Sequence, residues 1–232
     1  MKIRELEKLA TEDELTGLKN RRYIWEFSRQ IIEHAKKENG RVTLLIFDID
    51  NFKHYNDVYG HSAGDEVLEQ AAVLMQRCCR SHDVVGRIGG DEFAVIFWDE
   101  AKRKPLQTKR LTAESAEDAE KEIKNKSSAV SANSAVKKLP LKEETERRSA
   151  AAEHPKEPIF IAKRFRTELE KTELGLLGPE GKGVLTISGG LASFPNDGST
   201  IRQLFDQADT ALLEAKRSGK NRIYLVGGNN SV

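Results

Sequence analysis

The 232-residue sequence predicts an α/β (α+β) fold: a mixed central sheet wrapped by helices, with one long low-complexity surface insertion. Three observations predict it. Amphipathic helical stretches alternate with short β-branched runs. Two of those runs flank Gly89-Gly90-Asp91 and read as a β-hairpin, so the sheet is not purely parallel. Residues 101–156 hold 14 basic and 9 acidic residues, while an ordinary globular composition surrounds them.

Residues 1–12 form a helical lead-in, with Ile3, Leu6 and Leu9 at helical spacing. Residues 13–228 form one domain around the insertion. Asp13 to Asn20 is polar and turn-rich. A helix follows from about Arg21 to Lys37, with Ile24, Phe27, Ile31, Ile32 and Ala35 on one face, and Asn39-Gly40 ends it. Val42 to Phe47 is a continuous β-branched and apolar run, read as a central strand buried on both faces. It stops at Asp48-Ile49-Asp50. A short helical piece reaches Tyr59-Gly60, and a longer helix runs from about Ala63 to Arg80. The stripe of the longer helix is Val67, Leu68, Ala71, Ala72, Met75 and Cys79. The hairpin strands are Val84 to Ile88 and Glu92 to Trp98.

The pattern then breaks. From Asp99 to Pro158 there is no aromatic residue, and serine, alanine, glutamate and lysine dominate. Such a stretch buries too little apolar surface to offset its ordering entropy, so it reads as a flexible insertion. Regular structure resumes with a helix from Ile159 to about Lys171. A turn at Gly178-Pro179-Glu180-Gly181 precedes a strand from Val184 to Ala192. A helix follows from Ile201 to Arg217, then a last strand from Arg222 to Val226.

Lys and Arg number 38 and Asp and Glu 37, a formal charge of +1. That balance excludes a basic nucleic-acid coat and a strongly acidic tail, but not a local basic site for a nucleotide. Met1-Lys2-Ile3-Arg4-Glu5 leads into further charge rather than an apolar signal segment. No apolar run approaches the length of about 18 residues that spans a bilayer. Cys78 and Cys79 are adjacent, point apart in a helix and fit a reducing cytosol. The expected location is therefore cytoplasmic.

The chemistry gathers at the strand ends. Asp48 stands where the buried strand stops, the place where α/β sheets commonly hold ligands. Asp91 and Glu92 stand at the hairpin tip. If the hairpin pairs beside the Asp48 strand, three carboxylates converge, and they repel one another unless a cation sits among them. Hard oxygen ligands of this kind suit Mg²⁺, which commonly takes one or two carboxylates plus substrate phosphates. Gly89 and Gly90 leave room for close approach. Asp50 to Asp57 follows a strand and opens a helical turn, so backbone N–H groups and Lys53 are placed for phosphate. Asn56 and Asp65 have the donors and acceptors that read guanine.

These residues together resemble the GGDEF domain of diguanylate cyclases. The signature is Gly89-Gly90-Asp91-Glu92-Phe93. Asp13 to Arg22 (DELTGLKNRR) is similar to the family's opening motif. Phe47 to Leu68 (FDIDNFKHYNDVYGHSAGDEVL) is similar to its nucleotide-binding stretch, and Ala208 to Ile223 (ADTALLEAKRSGKNRI) to its closing helix and strand. The resemblance covers about Asp13 to Trp98 and Ile159 to Val226.

The resemblance implies a palm-like fold, shared with nucleotidyl cyclases and polymerases. It implies condensation of two GTP to cyclic di-GMP with release of two pyrophosphates, at the interface of a homodimer whose domains face each other. Second-messenger signalling in bacteria is the implied setting, with no nucleic-acid polymer as partner. Asp48, Asp91 and Glu92 by side chain, and Ile49 by its carbonyl, would hold Mg²⁺, or Mn²⁺ in its place. Asp91 stands at the position assigned as proton acceptor, and Glu92 would assist the metal. Lys53 would stabilise charge on the phosphates. Asn56 and Asp65 would bind guanine with His61 nearby, and Lys216 and Lys220 would reach the phosphates. An acid at Asp65, where relatives making mixed cyclic GMP-AMP have Ser, favours GTP on both sides. Arg80-Ser81-His82-Asp83 matches the RxxD inhibitory motif, so Arg80 and Asp83 would bind product and inhibit turnover.

Two departures stand out. The insertion replaces what is a short connection in relatives and bears on whether two domains can face each other. Gly189 stands where the family has a bulky apolar residue, and is expected to loosen the core there. Only about 12 residues precede Asp13, and no sensor domain is recognisable among them. The rival reading is a catalytically silent GGDEF domain that binds GTP or cyclic di-GMP.

Overall fold

The computed structural model describes residues 2–98, 156–172 and 185–227. The insertion and the turn at Gly178 to Gly181 lie almost wholly outside the described residues.

Helix α1 (Lys2–Thr11) leads into β1 (Lys19–Asn20), a two-residue strand in the stretch read from sequence as turn. Helix α2 (Arg21–Glu38) starts where the Asn20 side chain accepts from the Tyr23 N–H at 3.0 Å, and ends at Asn39 in the left-handed region, φ 51°. Strand β2 (Val42–Ile49) is followed by α3 (Phe52–Tyr59) and α4 (His61–Cys78). Strands β3 (Val84–Arg87) and β4 (Glu92–Trp98) form the hairpin. Helix α5 (Lys156–Glu170), strand β5 (Ile187–Phe194), helix α6 (Ile201–Arg217) and strand β6 (Arg222–Leu225) complete the described fold. A capping box opens α6, in which Thr200 and Gln203 each satisfy the other's backbone N–H.

The six strands lie in the order β1-β3-β4-β2-β5-β6. The outermost pairs, β1 with β3 and β5 with β6, are parallel; the inner pairs are antiparallel, so the sheet is mixed as the hairpin requires. Strand β2 is central and every one of its residues is buried, as its β-branched and apolar run predicts.

Alternation along β2 divides the core. Leu45, Phe47 and Ile49 face one layer with Met75 of α4 and Phe165 of α5. Leu44 and Ile46 face the other, with Ile31 of α2 and Leu204 of α6. Phe47 stacks on Phe93 with ring centroids 5.2 Å apart and meets Phe165 at 5.0 Å.

Two expectations change. Cys78, rather than Cys79, is the buried cysteine of α4; Cys79 caps the helix end in extended conformation. Gly189 does not loosen the core: β5 is buried throughout, and a Cβ on Gly189 would lie 3.2 Å from the Ile46 carbonyl. On the other face a Cβ on Gly190 would meet the Ala208 carbonyl oxygen at 2.0 Å, so α6 rests directly on the strand backbone. The pair of small residues permits close packing rather than leaving a gap.

The segment outside the described residues leaves at the end of β4 and rejoins at α5. Trp98 pairs with Val42, whereas Glu92 pairs with Asp48. The point of departure is therefore at the opposite end of β2 from Asp48, about 20 Å away at the usual rise per strand residue.

Candidate active site

The register of β2 and β4 sets the hairpin level with the end of the central strand. Asp48 pairs with Glu92, and the Ile49 N–H donates to the Asp91 carbonyl at 3.3 Å. The hairpin tip thus lies beside the end of the central strand. Asp48 is almost fully buried, with Asp91 half-buried and Glu92 exposed at the rim. The turn is held by Glu92, whose carbonyl accepts from the Ile88 and Gly89 N–H groups at 2.9 and 3.2 Å. The Glu92 side chain folds back over Gly89, and Gly90 faces open space.

Burial pushes the Asp48 carboxyl up to about 6; the Lys216 ammonium opposes this, while the charges of Asp91 and Asp50 add to it. Lys216, from the last turn of α6, forms an ion pair with Asp48 Oδ2. Asp48 Oδ1 is buried and has no hydrogen-bond partner among the described residues. A buried, unsatisfied carboxylate oxygen facing an acidic rim calls for a further cation. Among the described residues no three His, Cys, Asp or Glu side chains are grouped to hold a metal ion, so Asp48, Asp91 and Glu92 do not converge as closely as the sequence leads one to expect.

The residues expected to contact phosphate and base lie on α3, on α4 and in the α6–β6 turn. Lys53 is exposed on the first turn of α3. Asn56 lies on the same helix, and its Oδ1 rests against Gly64, where any side chain would collide with it. This brings Asn56 to the turn of α4 that carries exposed Asp65, with His61 exposed at the start of that helix. Lys220 reaches in from the turn between α6 and β6, and its Nζ donates to Asn51 Oδ1 at 2.5 Å. Asn51 itself is left-handed, φ 60°.

Arg80 and Asp83 stand elsewhere. They occupy the α4–β3 turn, at the far end of β3 from the hairpin tip. The Asp83 carboxylate accepts from the Arg80 backbone N–H at 2.8 Å, and burial raises its pKa. The Arg80 guanidinium pairs with Glu157 at the start of α5.

Two residues that the sequence reading did not single out join this frame. Arg87 donates to the Gly90 carbonyl through Nε at 3.0 Å and Nη2 at 2.8 Å, and to Asp13 Oδ1 through Nη1 at 3.1 Å. It ties the opening motif to the hairpin tip. A lone arginine two residues before a Gly-Gly turn was the available signal. The second is Asp50, whose three side-chain partners all lie more than 130 positions away.

Similarity to known proteins bears on the family and the fold. The family model "Diguanylate cyclase, GGDEF domain" matches residues 10–154 and 150–222. Over 94 residues the chain is 44% identical to the probable diguanylate cyclase DgcC of Escherichia coli, covering 40% of this chain and 25% of DgcC. Over 229 residues it is 29% identical to diguanylate cyclase A of Treponema denticola, covering 97% of this chain and 47% of that protein. The chain thus spans a quarter to a half of the length of these curated relatives.

Among solved structures it resembles the coiled coil and GGDEF domain of DgcB from Caulobacter crescentus in complex with c-di-GMP. The TM-score is 0.66 at 24% identity, over 97% of this chain and 90% of that one. It also resembles diguanylate cyclase SiaD in complex with its activator SiaC from Pseudomonas aeruginosa. There the TM-score is 0.61 at 26% identity, over 96% and 64%. The mixed sheet and its helices are those of the palm-like neighbours. No helix among the described residues is long and apolar enough to cross a membrane. With its motifs, its sheet and a family match over most of its length in agreement, this chain belongs to the GGDEF domain family of diguanylate cyclases.

Proposed function

We propose that the chain is an active diguanylate cyclase that condenses two GTP into cyclic di-GMP and two pyrophosphates. The observation that carries this is the pairing of Asp48 with Glu92, which sets a buried carboxylate with one unsatisfied oxygen beside the hairpin tip, under Lys216.

The chemistry assigned to the residues is as follows. The 3′-hydroxyl oxygen of each GTP bonds to the α-phosphorus of the other, the bond to the β-phosphate bridging oxygen breaks, and pyrophosphate leaves. Asp91 is the carboxylate that takes the hydroxyl proton. Asp48, Asp91, Glu92 and the Ile49 carbonyl would hold Mg²⁺ or Mn²⁺. When bound, such an ion polarises the phosphates and lowers the pKa of the attacking hydroxyl. Lys53, Lys216 and Lys220 neutralise the charge that builds on the phosphates. Asn56 and Asp65, with His61 beside them, select guanine. Two copies must face each other, since each site supplies one nucleotide. Arg80 and Asp83 bind the product and slow further turnover.

The test is incubation of the purified protein with GTP and Mg²⁺, read by mass-resolved chromatography, with Asp91→Ala as control. Cyclic di-GMP from the wild type alone is the expected result. No product over a wide range of protein concentration would overturn the assignment and leave a nucleotide-binding module.

A further inference from the structure

We infer that Asp50 is a positioning residue that sets Lys220 for the substrate phosphates; the inference rests on the nucleotide site proposed above. Asp50 is 4% exposed, and no role in metal or nucleotide contact falls to it. Buried carboxylates of this kind are rare unless their oxygens are satisfied. Here they are, by three donors from two distant segments. Thr186 Oγ1 donates to Oδ2 at 2.8 Å, Ser188 Oγ donates to Oδ1 at 2.7 Å, and the Asn221 backbone N–H donates to Oδ2 at 3.0 Å. The Asp50 N–H in turn donates to the Thr186 carbonyl at 2.9 Å.

The third donor is the informative one. Asn221 closes the turn that carries Lys220. Gly219, Lys220 and Asn221 all have positive φ, at 107°, 60° and 49°. Two consecutive side-chain-bearing residues in the left-handed region are unfavourable and persist only where the surroundings dictate them. The surroundings do so from two sides. Asp50 holds the Asn221 N–H from within the sheet. From α5, Arg166 donates to the Asn221 carbonyl at 3.3 Å and to its Oδ1 at 3.1 Å, and the Asn221 side-chain amide donates to Glu170. The fixed turn leaves Lys220 reaching back over Asn51, the residue next to Asp50 in sequence. One carboxylate therefore fixes both the end of the central strand and the turn whose lysine faces it.

The test is a double-mutant cycle read by binding, not turnover. The probe is 3′-deoxy-GTP with Mg²⁺, which lacks the attacking hydroxyl. Asp50→Ala and Lys220→Met are each expected to weaken binding about tenfold, the usual scale for one charge-assisted phosphate contact. If Asp50 acts through Lys220, the double variant binds no more than about twofold worse than the weaker single one. Asp50→Asn keeps an acceptor for Thr186 and Asn221 and can donate to Ser188 Oγ, so it restores binding to near wild type. Losses that multiply in the double variant, or a folded Asp50→Asn protein as weak as Asp50→Ala, would overturn the inference alone. A wild type that does not bind the probe would overturn the proposed site with it. Should Asp50→Ala fail to fold, Arg166→Met loosens the same turn from the helix side, and the same cycle with Lys220→Met decides.

Discussion

Lys216 and Asp48 form an ion pair across the floor of the site, the lysine 36% exposed and the aspartate 8%. The lysine satisfies one carboxylate oxygen and leaves the other bare. Removing the cation strands a buried charge. Lys216→Met is expected to lower stability at neutral pH by about 1–2 kcal/mol, the discounted cost for a pair that water partly reaches. Millimolar Mg²⁺ should recover more of the melting temperature in this variant than in the wild type, because the vacated oxygen becomes available to it. Thermal melts with Mg²⁺ and with chelator check both; equal Mg²⁺ effects in the two proteins would rule the account out.

Asp13 holds the opening motif to the hairpin through Arg87. Burial pushes its carboxyl up, but hydrogen bonds from the Thr16 hydroxyl and amide, together with Arg87, outweigh burial and hold it below the usual carboxylate range. The stabilisation is therefore present above that range and is lost as pH falls through the lowered value. Asp13→Ala should cost about 1–2 kcal/mol at pH 7. The gap to wild type should close as acid protonates the wild-type carboxylate. Urea melts at pH 7 and below pH 4 measure this, and a gap that widens in acid would contradict it.

Glu157 occupies the guanidinium of Arg80, the group expected to bind product. An exposed pair of this kind is worth only about 0.5 kcal/mol, so Glu157→Gln should tighten cyclic di-GMP binding by roughly two- to threefold. Arg80→Ala should abolish product inhibition while the initial rate stays at wild type. Calorimetry with cyclic di-GMP and progress curves from GTP read the two effects separately.

Gly190 and Gly90 differ in what a methyl group would meet. At Gly190 it would strike the Ala208 carbonyl at 2.0 Å and the Leu212 nitrogen at 2.6 Å; at Gly90 nothing lies within 4 Å. Gly190→Ala is expected to cost about 3 kcal/mol or more, since backbone must move. Gly90→Ala should leave stability within about 0.5 kcal/mol. Denaturant midpoints of the two variants give the comparison.

What could be read from sequence was what periodicity and strand ends encode. The β-branched and apolar run Val42 to Phe47 marked the central strand because burial on both faces leaves Thr43 as its sole polar residue. Asp48 and Asp91 were legible because each follows a strong element boundary. Strand β1 was not, since two polar residues that pair in parallel with Gly86 and Arg87 carry no alternation. Asp50 was hidden for a different reason: Thr186, Ser188 and Asn221 lie 136, 138 and 171 positions along the chain, and only the sheet brings them together. Gly189 read as a weakness because a missing side chain looks like a missing contact, whereas here Leu45, Ile46 and Phe47 of the neighbouring strand close on that position.

Strand β2 pairs with β4 from Val42 to Asp48 and with β5 from Val42 to Ile49, so Asp48 has a strand partner on each flank. Fraying begins at edges and termini, and the most protected amides are those with neighbours on either flank. Local breathing of the outer strands therefore cannot carry Asp48 away from Glu92. Heat should remove the proposed cyclase activity and tertiary structure in one transition, with no dormant folded form between them.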